Sequence, residues 1–355
     1  MATVSNWRTA NRTERFEYRL LTQNLQPVGL LDGVESCSLS GSVFSDVRWG
    51  GKITWSGNVV PDLTTYLVHP WYIVSGDDGV EESYPLAPPC YARSSSVAQS
   101  DLVPATTDMD LYDVSYRLAK RLKLTGELAV ASGGVITDTV VSRLAATGAR
   151  YSATPSARTL TAALNWAIGT SEMKVLNDML SAAGYWSVAA DLGGSIVVAP
   201  WVDPRQRAAS YMFGDGEASI TGAIVRSKDD FDVPNRMTGV QRVQEGQAPL
   251  TVTVTLDTVS PSSPYTYAAR GYWVDGEPLL DQDAADLATL TSAVTRSLLS
   301  AADPGETLTL THAWVPEVLL GVVVGFRGAL YTVQKMTVNC DLGLPVQAEW
   351  SKVVL

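Results

Sequence analysis

Three aspartates fall within four positions of the stretch SKDDFDVPNR: Asp229, Asp230 and Asp232. Carboxylates this close can ligate a divalent cation, which takes several oxygen donors. The same residues also read as a solvated loop ahead of Pro234. Two further acidic stretches, SGDDGVEE (75–82) and GDGEAS (214–219), lack the ligand order of a calcium loop and read as turns. The two histidines, His69 and His312, each lie inside a strand-like run, where a structural role outweighs one as base or ligand. RWGGKITWSG (48–57) contains Gly-Gly-Lys, but without the spacing of a phosphate-binding loop and in a strand context. A G-x-S-x-G elbow is absent. Among 37 acids some pair will always sit at a glycosidase spacing, so that spacing alone carries no argument. The cysteines Cys37, Cys90 and Cys340 are three in number and far apart, which argues against a disulfide framework and against a zinc site. No catalytic, cofactor-binding or metal-binding set emerges, and no cofactor is implied.

The elements around these residues are mainly β. Short alternating runs at 17–23, 29–49, 51–60 and 64–74 read as strands, with Pro70 marking an edge or bulge. Residues 75–107 are rich in Pro, Ser, Asp and Gly and read as a long loop, an interaction arm. In 108–126, Leu111, Val114, Leu118 and Leu122 recur at helical spacing, with acids first, Lys120, Arg121 and Lys123 last, and Gly126 as a stop. A second helix is expected at 137–148, closed by Gly148.

Residues 171–201 form a complete small unit on paper. Ser171 caps a helix whose face is Met173, Leu176 and Leu180, Gly184 ends it, and 185–190 pairs with 195–200 across a turn at 191–194. Both faces of that hairpin carry apolar residues, so one is expected to cover the helix and the other to meet a neighbour. Strands return at 210–216, 218–228 and 251–256. A helix follows at 281–302, with Asp281 near its start and Leu287, Leu290, Val294 and Leu298 on one face. Four strand-like runs close the chain, at 306–314, 317–328, 329–339 and 344–355.

Composition narrows the partners. A content of 46% apolar and 18% charged residues fits a folded chain of 355 residues. A net charge of −11 opposes any grip on phosphate backbones. No secretion signal opens the sequence, and the longest apolar run, Val318 to Phe326, is about half a membrane span. Synthesis in a cytoplasm is the expectation. Seven lysines against 19 arginines hint at a GC-rich source genome. The ten tryptophans are scattered from Trp7 to Trp350, as core and interface residues are, whereas a sugar-binding platform would cluster them.

Four stretches, taken in order, resemble the tail-tip (baseplate) hub proteins of long-tailed bacteriophages, known as minor tail proteins in phages of actinobacteria. They are FSDVRWGGKITWSG; YPLAPP; NWAIGTSEMKVLNDMLSAAGYWSVAADLGGSIVVAPWVDP; and DFDVPNRMTGV followed by SPSSPYTYAARGY and LTLTHAWVPEVLLG. The resemblance spans nearly the whole chain. It implies two small β-barrels with smaller α/β domains: a first barrel region at 1–104 with the arm at 75–107, an α+β insert at 105–209, and a second barrel region at 210–355. It also implies a homotrimer whose six barrels dock on the six-fold distal tail protein ring, while the other end keeps three-fold symmetry for a central spike or fibre. The tape measure protein and DNA would pass through the centre without specific binding, and the chain would not insert in a membrane. With no extension after Leu355, a spike, fibre or hydrolase would be a separate protein. Rival expectations are a carbohydrate-binding module for the host surface and a cell-wall hydrolase.

Overall fold

Period-two alternation carries most of this chain into sheets. The computed structural model describes residues 7, 11–56, 63–76, 79–100, 103–160, 163–214, 220–228, 230–241, 248–282, 287–302 and 305–353. Strands hold 42% of the residues and helices 19%, so the fold is mainly β. The chain divides into two compact units, residues 1–224 with 309–350 and residues 225–308 with 351–355.

In the larger unit the strands follow one hydrogen-bonded order. It runs Pro345–Lys352, Ala329–Asn339, Val34–Ser42, Trp49–Ser56, Val103–Asp113, Cys90–Ser100, Leu67–Ser75, Thr13–Leu21, Pro27–Leu30. The C-terminal strands join the N-terminal ones through the antiparallel register Lys335↔Ser42 to Asn339↔Ser38. This path is open. Among the described residues no strand pair closes it, so the two closed barrels expected from the resemblance are not seen as such. Strands from both ends of the chain instead lie side by side in one continuous order.

Three expectations are corrected here. Residues 75–107 are not a loop: Glu81–Pro85 pairs with Leu67–Ser75, and Cys90–Ser100 pairs with Val103–Asp113. Residues 108–113 are not helix: they end that last strand, with Met109 opposite Ile53. Only Arg117–Arg121 coils, as a single π turn. Leu111, Leu118 and Leu122 do sit at helical spacing, but Met109, Leu111 and Asp113 also alternate. The sheet buries all three, and tertiary burial outweighs local propensity. Pro70 lies inside a central strand rather than at an edge. Its missing N–H falls between the partners of Leu67–Val68 and those of Trp71–Ser75, where no donor is needed.

The insert contains helix α1 (Ile136–Thr147) and helix α2 (Glu172–Ala183). Gly148 and Gly184 end them in the left-handed region, at φ 69° and 70°, as the sequence predicts. Ser171 accepts a hydrogen bond from the Lys174 N–H. Ile196–Val198 pairs antiparallel with Ala189–Ala190 and parallel with Tyr151–Ala153. Val140, Leu144, Met173, Leu176, Leu180, Ile196 and Val198 share one core.

The smaller unit contains the short helices α3 (Leu256–Val259) and α4 (Tyr267–Arg270) and the long helix α5 (Leu287–Ala301). Leu290, Val294 and Leu298 of α5 are buried as expected; Leu287 is exposed. The helix packs on a sheet of Thr251–Thr255, Arg236–Gln241 and Leu279–Gln282, and the last two strands were not anticipated. Asp281 lies in the strand Leu279–Gln282, not in the helix. Gly239 permits the close packing, because a Cβ there would come 2.2 Å from a Val294 methyl.

Candidate functional site

The residues singled out for chemistry do not converge. Asp229 lies outside the described residues. Asp230 pairs loosely with Lys228 at 3.7 Å, both well exposed, and among the described residues no group of three metal-capable side chains forms. His69 is buried edge-on against Trp71 at 5.1 Å between ring centroids. His312 is fully buried beside Phe213 and Trp350, and its Nδ1 lies 2.7 Å from the Ala313 carbonyl. Burial disfavours the charged ring and holds each histidine at a pKa of about 4, so both stay neutral at pH 7. These are packing histidines. Cys37 and Cys340, 303 positions apart in sequence, come to face each other across neighbouring strands, with the Cys340 N–H donating to the Cys37 carbonyl at 3.0 Å.

The smaller unit builds a surface that the tryptophan spacing did not reveal. At its base Asn235 is fully buried. Its Nδ2 donates to the Tyr265 and Tyr272 carbonyls, both at 3.0 Å, and its Oδ1 accepts from the Val274 N–H at 2.8 Å. One side chain thus ties down both ends of the 265–274 loop. Asp257 accepts the N–H groups of Tyr267 and Ala268 at 3.0 Å each, at the start of α4. Desolvation works against that carboxylate, but these donors outweigh it and hold it below its ordinary pKa. Gly271, at φ 78°, turns the chain out of α4.

Rings project from this braced backbone. Tyr267 and Trp273 stack at 4.5 Å with 26° between planes. Arg236 forks onto Asp275 at 2.5 and 2.8 Å while lying over the Trp273 ring at 5.0 Å. That hydrogen-bonded pair raises the arginine pKa and lowers that of the aspartate. Arg270 donates to the Val233 and Asp230 carbonyls and lies 4.6 Å over Tyr265 and 5.8 Å from Tyr272. Phe231, Tyr267, Tyr272 and Trp273 are all exposed, Phe231 to 82% and Tyr272 to 53%. Nearby, Asp232, Pro234, Asp275, Glu277 and Leu280 line an open cleft of about 610 Å³.

Aromatic rings, forked cations and carboxylates on a hydrogen-bonded loop pair are groups that can contact a partner by stacking and hydrogen bonding. They include no activated nucleophile and no oriented base. The signal was present in two of the quoted stretches, DFDVPNRMTGV and SPSSPYTYAARGY. Counting only tryptophans hid it, because tyrosines supply most of the rings.

No protein-family model matches the sequence, and no curated protein matches it. Several solved structures share its fold. A tail protein from Neisseria meningitidis MC58 aligns with a TM-score of 0.65 at 12% identity, covering 95% of this chain and 96% of that one. The 43 kDa tail protein of prophage MuSo2 from Shewanella oneidensis gives 0.62 at 10% identity, over 95% and 98%. Prophage tail protein gp18 from Listeria monocytogenes EGD-e gives 0.55 at 12%, over 94% of each. At these identities the likeness is one of fold: the chain has the architecture of phage tail proteins along nearly its full length.

Proposed function

We propose that this chain is a structural protein of a phage virion, the trimeric hub at the distal end of a long tail. The observation that carries the reading is the end-to-end match of its fold to phage tail proteins. The order of the four hub-like stretches supports it independently. In this reading the strand-rich regions 1–104 and 210–355 play the part of the two barrels. Three chains then offer six docking faces to the distal tail protein ring and a three-fold end to a spike or fibre. The tape measure protein and DNA pass through the middle, and a net charge of −11 suits a wall that must not hold DNA. The chain has no catalytic task here, is made in the host bacterial cytoplasm and ends in the tail tip. No described helix is long and apolar enough to cross a membrane.

The 171–201 unit contributes a subunit contact. Trp201 is 50% exposed beside Trp186, and Val197 is half-buried on the adjoining hairpin. Light scattering behind a sizing column tests the assembly: a species of about three times the 38.0 kDa chain is expected. A Trp201→Glu chain should fall to smaller species and fail to support tail assembly. Antibody labelling of virions away from the tail tip would overturn the hub.

The aromatic surface of the smaller unit favours a second reading, a module that binds host-surface carbohydrate. Exposed Tyr272 and the outer edge of the Tyr267–Trp273 stack offer apolar ring surface to sugars, and Asp232, Asp275 and Glu277 offer acceptors for hydroxyls. Binding of the purified chain to a glycan array, lost in Trp273→Ala, would support that reading over a purely architectural one.

A further inference from the structure

Cys37 lies on the strand Val34–Ser42, buried on the same face as Leu39. The neighbouring strand Ala329–Asn339 runs antiparallel to it, with Val338 opposite Leu39 and Asn339 opposite Ser38. One further step of this register sets Cys340 opposite Cys37, and the Cys340 N–H donating to the Cys37 carbonyl fixes the pair as a hydrogen-bonded one. Both side chains therefore leave the same face of the sheet. In such a pair the Cα atoms stand about 5.5 Å apart, inside the span of about 4.4–6.8 Å that disulfides occupy. The Tyr18 phenol lies beside both sulfurs. Cys340 is half-buried and the less enclosed of the pair, whereas Cys90 is sealed in the core with its thiol on the Pro88 carbonyl at 3.1 Å.

We propose that Cys37 and Cys340 are a built thiol pair that closes to an intramolecular disulfide when the protein meets an oxidising solution, tying the N-terminal strands to the C-terminal ones. The oxidant is a small-molecule disulfide such as oxidised glutathione. The Cys340 thiolate attacks one of its sulfurs, a mixed disulfide forms, and one small thiolate leaves. Cys37 loses its proton and attacks the Cys340 sulfur, and the second small thiolate leaves. Two protein thiols are oxidised, one small disulfide is reduced to two thiols, and the two protons from the cysteines go to the solution or the leaving thiolates. The Cys340 thiol and burial together push Cys37 well above the usual thiol range, so the second step is slow near neutrality and quickens as pH rises.

The test is a thiol count on folded full-length protein incubated with oxidised glutathione, quenched with acid and read under denaturing conditions. The count should fall from the three cysteines of the sequence to one. A non-reducing digest should contain a peptide linked through Cys37 and Cys340. Cys90→Ser should then leave no free thiol. Cys340→Ser, at the less buried of the two positions, should keep both remaining thiols free even if Cys37→Ser fails to fold. Adding dithiothreitol to the oxidised protein should lower its melting midpoint by about 5 °C. Three thiols retained, glutathione left on Cys340, a link to Cys90, or a link between two chains would each overturn the proposal.

Discussion

In the stretch 171–201 the polar side chains serve the ends and flanks of α2, and the apolar ones go inward except at Trp201, which is exposed. Ser171 caps the helix, Glu172 forks onto Arg143 at 2.6 Å on both oxygens, Asp178 accepts the Trp166 indole N–H, and Asn177 holds the Val188 N–H. In the smaller unit Val233, Met237, Val254 and Leu256 also go inward, but around the 265–274 loop the arrangement is reversed. A buried polar residue, Asn235, sits at the centre, and the aromatic rings point outward. The first region gains stability from apolar burial. The second uses hydrogen bonds to keep a loop rigid, so that costly exposed rings stay in fixed positions. A surface of that kind is preorganised for a partner.

The contrast can be broken most forcefully at the first core. Leu176→Ala, at a fully buried position, should cost about 4 kcal/mol in urea unfolding of the larger unit. In the second region Asn235→Ala should cost about 3 kcal/mol, since three backbone groups lose their partner, while Asn177→Ala, with one such bond, should cost about 1 kcal/mol. Equal losses for the two asparagines would erase the distinction between a brace and an ordinary contact.

Acid should act on the larger unit through its histidines. His69 and His312 are held neutral when folded, with pKa values of about 4. The unfolded chain protonates first, near pH 6.5, so their contribution is present above that value and is lost as pH falls toward about 4. The difference in stability between the natural chain and His312→Gln should therefore shrink by about 3 kcal/mol from pH 7 to pH 4. Asp113, raised by burial, works in the opposite sense, which is why the difference rather than the total is the measure. The smaller unit has no histidine and should show no such change.

The smallest effect sharpens the contrast most. Trp273→Ala should change stability by less than about 1 kcal/mol, because its ring is largely a surface feature. A loss as large as that of Leu176→Ala would make the platform part of the core.

Local signals were enough wherever one element needed only its own residues. Ser171, Gly148 and Gly184 marked helix ends, and Leu290, Val294 and Leu298 marked a buried face, because caps and periodicity act within one turn or one helix. They misled at 108–113, where Leu111 fits a helical period with Leu118 and Leu122 and a strand period with Met109 and Asp113, and pairing with the strand Trp49–Ser56 decided between them. They were silent on the aromatic surface, whose rings at 265–273 depend on Asn235, Arg236 and Asp257 from other elements.

Composition, charge and caps by themselves determined a mainly β chain with capped helices, an acidic surface and no legible catalytic set. Tertiary structure alone decided which strands neighbour which, and so opened the sheet where closed barrels were expected. It alone set Cys37 against Cys340 and gathered tyrosines around a buried asparagine. The physical reason is the same each time. Caps and periodicity are short-range, whereas strand pairing and buried hydrogen bonds join residues tens to hundreds of positions apart, and their partners are chosen only when the core closes.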